Sequence, residues 1–169
     1  MEDSFSRFGL NKQFEVDLVD LEDRYLRACK AAHPDHLHDT GLSFVTAAEL
    51  SLALVNHDYE TIRNPVSRAE LLLVLSGGAT AQEQRVVSTD FLETMIELRE
   101  TMAEARTPSD WILLETKVKS KQECSKGKLP ELCSIPMTSE NKDSLRKLLN
   151  EIAFLESIER DLRERDRKS

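Results

Sequence analysis

The sequence predicts an all-α protein, built as an N-terminal helical hairpin followed by a C-terminal three-helix bundle. Three observations carry the prediction. Apolar residues recur at helical spacing over successive stretches of the chain. Helix breakers are few, with 5 Gly and 5 Pro among 169 residues, and they fall between the periodic stretches rather than inside them. An apolar share of 40% beside a charged share of 32% suits a folded core and not a disordered chain.

From Asp17 to Ala32, the residues Leu18, Leu21, Tyr25, Ala28, Cys29 and Ala32 form one stripe of an amphipathic helix. Pro34 ends it, because the proline ring disfavours the α region for His33 before it. The polar run from Asp35 to Gly41 then reads as a loop. A second stripe, Phe44, Ala47, Ala48, Ser51, Leu54, Val55 and Ile62, continues to the break at Asn64-Pro65. Two helices of similar length joined by a short loop make an antiparallel hairpin. Val66 to Leu75 is a short third helix, and Ser76-Gly77-Gly78-Ala79-Thr80 has the composition of a connection between domains. Residues 1–76 are therefore assigned to a first domain, 77–87 to a linker and 88–169 to a second domain.

In the second domain, Ser88 or Thr89 caps a helix from about Asp90 to Arg106, which ends before Thr107-Pro108. Pro108 starts the next helix, carrying Trp111, Ile112, Leu114 and Val118. Gly127, Pro130 and Pro136 exclude a continuous helix through Cys124 to Met137, and no element is assigned there. Thr138 or Ser139 caps the last helix, whose stripe is Leu145, Leu148, Leu149, Ile152, Leu155, Ile158 and Leu162.

With 23 Lys plus Arg against 31 Asp plus Glu, the net charge is −8, and a general polyanion binder would be repelled by its own field. Nucleic acid is excluded as the main partner. The three cysteines, Cys29, Cys124 and Cys133, lie far apart without a CxxC pair, so neither a disulfide framework nor a zinc ribbon is indicated. The opening Met1-Glu2-Asp3-Ser4 is acidic, unlike an organelle transit peptide. No stretch reaches the roughly 20 apolar residues that span a bilayer. These features lead to the expectation of a bacterial cytoplasmic protein with no membrane partner and no cofactor. A mitochondrial matrix protein would fit only after removal of a transit peptide.

The most specific feature is His33-Pro34-Asp35, on the loop directly after a helix and before a second antiparallel one. At about 100° per residue, Arg24, Arg27 and Lys30 lie away from the apolar stripe of that helix and form a basic face in an acidic protein. Proline stiffens the loop and restricts how His33 and Asp35 are presented, and Asp35 can accept a bidentate arginine. Two other readings stay open. Asp35 can cap a turn beside a solvated basic face, and His33, Asp35, His36, His38 and Asp39 are competent metal ligands crowded into one loop. No Ser or Cys nucleophile motif accompanies the histidine, so an enzyme is not expected. The placement resembles a J domain. That resemblance implies that the loop and the basic face engage a DnaK-type chaperone and promote its ATP hydrolysis.

On the helix from Asp90, the residues Phe91, Met95, Leu98, Met102 and Ala105 share one face, while Leu92 and Ile96 stand roughly 100° or more from its centre. With Glu93, Glu97, Glu100 and Glu104 nearby, they make an apolar strip with an acidic border, a pattern suited to a protein interface. Phe154 likewise projects away from the stripe of the last helix. Packing of both shoulders against other parts of the protein is the plain alternative.

Over nearly its whole length the chain resembles the HscB, or Jac-type, J-proteins of iron–sulfur cluster biogenesis. Phe5-Ser6-Arg7-Phe8-Gly9-Leu10 resembles that family's Phe-x-x-Phe/Leu-Gly-Leu opening, and Asn64 to Leu73 resembles its Pro-x-x-Arg-Ala-Glu-Tyr-Leu-Leu segment. Phe91-Leu92 with Glu97-Leu98-Arg99-Glu100 resembles its Phe-Leu-x-x-x-x-Glu-x-Arg-Glu motif. The resemblance implies that the C-terminal bundle binds an IscU-type cluster scaffold through Leu92, Ile96, Glu97, Glu100, Glu104 and Phe154. It also implies that the loop residues His33, Pro34 and Asp35, with Arg24, Arg27 and Lys30, serve an HscA/DnaK-type chaperone. Ala32 and His36 replace the aromatic and the lysine that often flank the loop motif, and Glu93 stands where many members carry methionine. A cysteine-rich N-terminal module of the kind seen in animal members is missing, which points to a bacterial source. A general J-protein serving another client remains the alternative within the same fold.

Overall fold

The computed structural model describes residues 3–32 and 42–166, with the side chains of 42–50 and of 166 left out. All regular structure among the described residues is helical: α1 (Ser4–Arg7), α2 (Leu18–Ala32), α3 (Leu42–Arg63), α4 (Pro65–Leu75), α5 (Thr89–Glu104), α6 (Pro108–Lys126), α7 (Leu129–Ser134) and α8 (Ser139–Asp166). The chain divides into two compact units, residues 1–72 and 73–169.

In the first unit, α1 is a single turn that the sequence pattern does not announce, being too short for periodicity. Caps at both ends hold it. The Asp3 carboxylate accepts the amides of Phe5 and Ser6 at 3.1 Å each, and the Ser6 hydroxyl accepts the Asp3 amide at 3.0 Å, closing a capping box. At the other end Gly9 takes φ 62°, and the amides of Gly9 and Leu10 bond back to the carbonyls of Ser6 (3.1 Å) and Phe5 (2.9 Å). That is a Schellman ending, which needs a left-handed residue at this position. The turn buries Phe5 and Phe8. It also presents Ser4 and Arg7 to Asp58 of α3, a buried carboxylate that accepts the Ser4 hydroxyl at 2.6 Å and pairs with Arg7.

Helices α2 and α3 run antiparallel, since Glu22 meets Tyr59 while Tyr25 reaches Asn56 at 3.0 Å. The rings of Tyr25 and Tyr59 stack 4.1 Å apart. Leu21, Val55 and Ile62 of the expected stripes are buried, but Leu18 (52%), Leu54 (43%) and Ser51 are exposed. The reason is the extra layer: with α1 on Asp58, the buried side of α3 runs through Val55, Asp58, Tyr59 and Ile62, and Leu54 lies about 100° off it. Asn64 caps α4 through the amides of Val66 (2.8 Å) and Ser67 (3.2 Å). The buried Arg68 donates to the Ile62 carbonyl at 2.6 Å and lies 4.8 Å over the Phe14 ring. A second Schellman ending, with Gly77 at φ 77°, stops α4.

In the second unit, α5, α6 and α8 enclose Phe91, Leu98, Leu114, Val118, Leu155, Ile158 and Leu162. Burying each such side chain contributes about 1.5–3 kcal/mol before entropy is counted, so this core accounts for the bundle. Thr107 and Asp110 form a capping box at the start of α6, with Pro108 in the first turn. The stretch left unassigned in the sequence continues α6 to Lys126, turns at Gly127-Lys128 and forms α7, which buries Leu129. Residues 84–88 are tied to α8: the Asn150 amide donates to the carbonyls of Gln84 (2.9 Å) and Val86 (2.8 Å), and the Ser88 hydroxyl bonds Glu151 at 2.5 Å.

Candidate interaction surfaces

His33, Pro34 and Asp35 lie outside the described residues, as do His36, His38 and Asp39 of the metal-binding alternative. The basic residues on α2 do not share one fate. Arg24 is half-buried: its Nε pairs with Asp20 at 2.8 Å, and its Nη1 donates to the carbonyls of Phe8 (2.8 Å) and Gly9 (3.0 Å) just beyond α1. Arg27 and Lys30 are exposed, with Arg27 Nε on the Asp23 carbonyl at 3.2 Å. Spacing puts the three cations on the polar side of the helix, but only the fold brings the Phe8 and Gly9 carbonyls under Arg24.

On α5, Phe91 and Leu98 point into the bundle, while Leu92 and Ile96 are 48% and 59% exposed. The apolar shoulder is thus left uncovered within its own unit. Glu100 and Glu104 are exposed beside it. Glu97 is turned to the α6 side, where Lys117 pairs with it at 2.5 Å, and Lys121 donates to Thr94 at 3.4 Å. The Lys117 ammonium holds the Glu97 carboxyl below the ordinary range. Phe154 is half-buried. Its ring meets Phe91 edge to face at 5.9 Å and 89°, and the guanidinium of Arg99 lies 5.4 Å from its centroid. Phe154 therefore belongs partly to the core and partly to the surface, a division that its angle on α8 alone does not reveal. Periodicity also passed over Arg99, since its tie to Phe154 spans two helices.

The whole described architecture has counterparts among solved structures. Human co-chaperone protein HscB matches with a TM-score of 0.82 at 25% identity, over 98% of this chain and 83% of that one. A curated relative, the co-chaperone protein HscB homolog of Chromobacterium violaceum, is 34% identical over 110 residues, 64% of this chain and 63% of the relative. The chain is similar to HscB co-chaperones in sequence and in fold. The fold is shared as well with chaperone HscB from Vibrio cholerae, at a TM-score of 0.75 and 23% identity over 99% of both chains. The Jac1 co-chaperone of Saccharomyces cerevisiae has the same HscB-type fold, at a TM-score of 0.72 and 14% identity over 97% of this chain and 94% of that one. The matched region thus spans less than two thirds of the Chromobacterium relative's length. No family model matches the chain. Among the described residues, no helix is long and apolar enough to cross a membrane.

Proposed function

We propose that this chain is a non-enzymatic co-chaperone of iron–sulfur cluster biogenesis with two separate working surfaces. The loop His33-Pro34-Asp35, together with Arg24, Arg27 and Lys30 of α2, stimulates the ATPase of an HscA/DnaK-type chaperone. The strip of Leu92 and Ile96, bordered by Glu97, Glu100 and Glu104 and continued by Phe154, holds an IscU-type scaffold and delivers it to that chaperone. The observation that carries this reading is the kinship with HscB co-chaperones, in sequence and across nearly the full chain in fold. The exposure of Leu92 and Ile96 supports the second surface, because apolar side chains left out of the core at interface spacing mark binding sites.

The test is steady-state ATP hydrolysis by the source organism's HscA/DnaK-type chaperone, with this protein added, with and without its IscU-type scaffold. Stimulation by both together, beyond the sum of each alone, is expected. His33→Gln is expected to abolish the stimulation while scaffold affinity stays unchanged. Absence of stimulation in every combination would remove the co-chaperone reading, and joint loss of both activities in the variant would remove the separation of surfaces.

A further inference from the structure

Around α5, at about 100° per residue, Arg99, Leu92, Ala103 and Ile96 follow one another across a sector of about 60°. Glu100, Glu93 and Glu104 come next, on the side away from Arg99. The apolar strip is therefore flanked by a cation on one edge and by carboxylates on the other. Arg99 is exposed, and among the described residues its recorded contact is the Phe154 ring, with no carboxylate paired to it. The neighbouring lysines differ: Lys117 and Lys121 are engaged with Glu97 and Thr94 on the α6 side. Phe154 is itself held by the edge-on contact with Phe91. A guanidinium lying on a ring supported in this way keeps its stem ordered and its N–H donors available at the edge of the plane.

We propose that Arg99 is a specificity-determining residue of the scaffold surface. Held on Phe154, it takes a carboxylate of the scaffold, so that the bound segment places an acidic residue beside α8 and its apolar anchor over Leu92 and Ile96. The acidic border fixes the same orientation by accepting a basic residue on the opposite edge. Electrostatic complementarity of this kind sets register and partner choice more than it adds area. The inference rests on the scaffold-binding reading given above and adds the charge pattern that the scaffold must carry.

Calorimetric titration of the IscU-type scaffold into wild type, Arg99→Lys, Arg99→Gln and Arg99→Glu at low and high salt tests it, with a thermal melt of each variant. The expected order is wild type, then Lys, then Gln, then Glu, with Arg99→Glu weaker than wild type by about tenfold or more. The gap between wild type and Arg99→Gln should shrink as salt rises and screening removes the attraction. Equal affinity of Gln and Glu variants with wild type, or losses that follow the melting temperature and ignore salt, would overturn the assignment while leaving scaffold binding intact. Failure of wild type itself to bind the scaffold would overturn the scaffold reading, and this inference with it.

Discussion

The two surfaces differ in how the fold treated the residues that make them conspicuous. On α2 the conspicuous residues are cations, and the fold drew one of them inward: Arg24 holds the carbonyls of Phe8 and Gly9 that follow α1. On α5 they are apolar, and the fold left them out: Leu92 and Ile96 remain about half exposed while Phe91 and Leu98 on the same helix are buried. A charged side chain on a polar face can still be a structural tie, since a guanidinium satisfies carbonyls that would otherwise go unpaired. An apolar shoulder is covered only if a neighbouring helix reaches it. Here α6 meets the Thr94 and Glu97 side, and Phe154 reaches Phe91 and Arg99.

Breaking the α5 side of this contrast should have the largest effect. Leu92→Ala combined with Phe154→Ala should cost about 2 kcal/mol or more per anchor, roughly thirtyfold each in scaffold affinity, with chaperone stimulation in the absence of scaffold unchanged. Undiminished scaffold affinity would separate this strip from the scaffold site. The α2 side is sharpened by comparing two arginines in urea titrations. Arg24→Ala should destabilise the protein by about 0.5–1.5 kcal/mol through the loss of its hydrogen bonds to the Phe8 and Gly9 carbonyls, whereas Arg27→Ala should stay within about 0.5 kcal/mol. Equal effects would mean that Arg24 belongs with Arg27 on the free face.

The division within the α5 surface predicts a smaller difference. Phe154→Ala should lower stability by about 1 kcal/mol, from the lost edge-to-face contact with Phe91, while Leu92→Ala should leave the melting temperature unchanged. The smallest expected signal is in pH. The Gln122 amide, joined by Arg163, holds the Glu159 carboxyl below its ordinary range, and the amides of Thr107 and Arg106 do the same for Asp110. A folded pKa below the unfolded value contributes stability that is present above the unfolded pKa and lost as pH falls through the folded one. The urea midpoint should therefore fall below about pH 4.3, the ordinary glutamate value, and Glu159→Gln should make that fall shallower. An unaltered acid profile would show that Glu159 has no net preference for its folded surroundings.

Much of the architecture was legible because its signals are local. Pro65, Gly77, Pro108 and Gly127 each stand at or just beyond a helix boundary, and the sequence places breaks at or near them all. The single turn α1 was missed, since four residues carry no periodicity, although Asp3, Ser6 and Gly9 are the caps that define it. In residues 124–137 the glycine and prolines forbid one long helix without excluding two, and the chain there ends α6 and forms α7. On the candidate surface, the angular offset set Leu92 and Ile96 apart from the core stripe but left open whether another part of the protein covers them.

By itself, then, the sequence determined the helical class, most helix ends and the apolar shoulder on α5, all of which follow from backbone preference and from spacing along one helix. Only the tertiary structure decided which shoulders stay open and which charges stay free. Arg24 on Phe8 and Gly9, Glu97 on Lys117, and Arg99 on Phe154 join residues 16, 15, 20 and 55 positions apart. Such pairs depend on how one helix is rotated against another, and no periodicity within a single helix encodes that rotation.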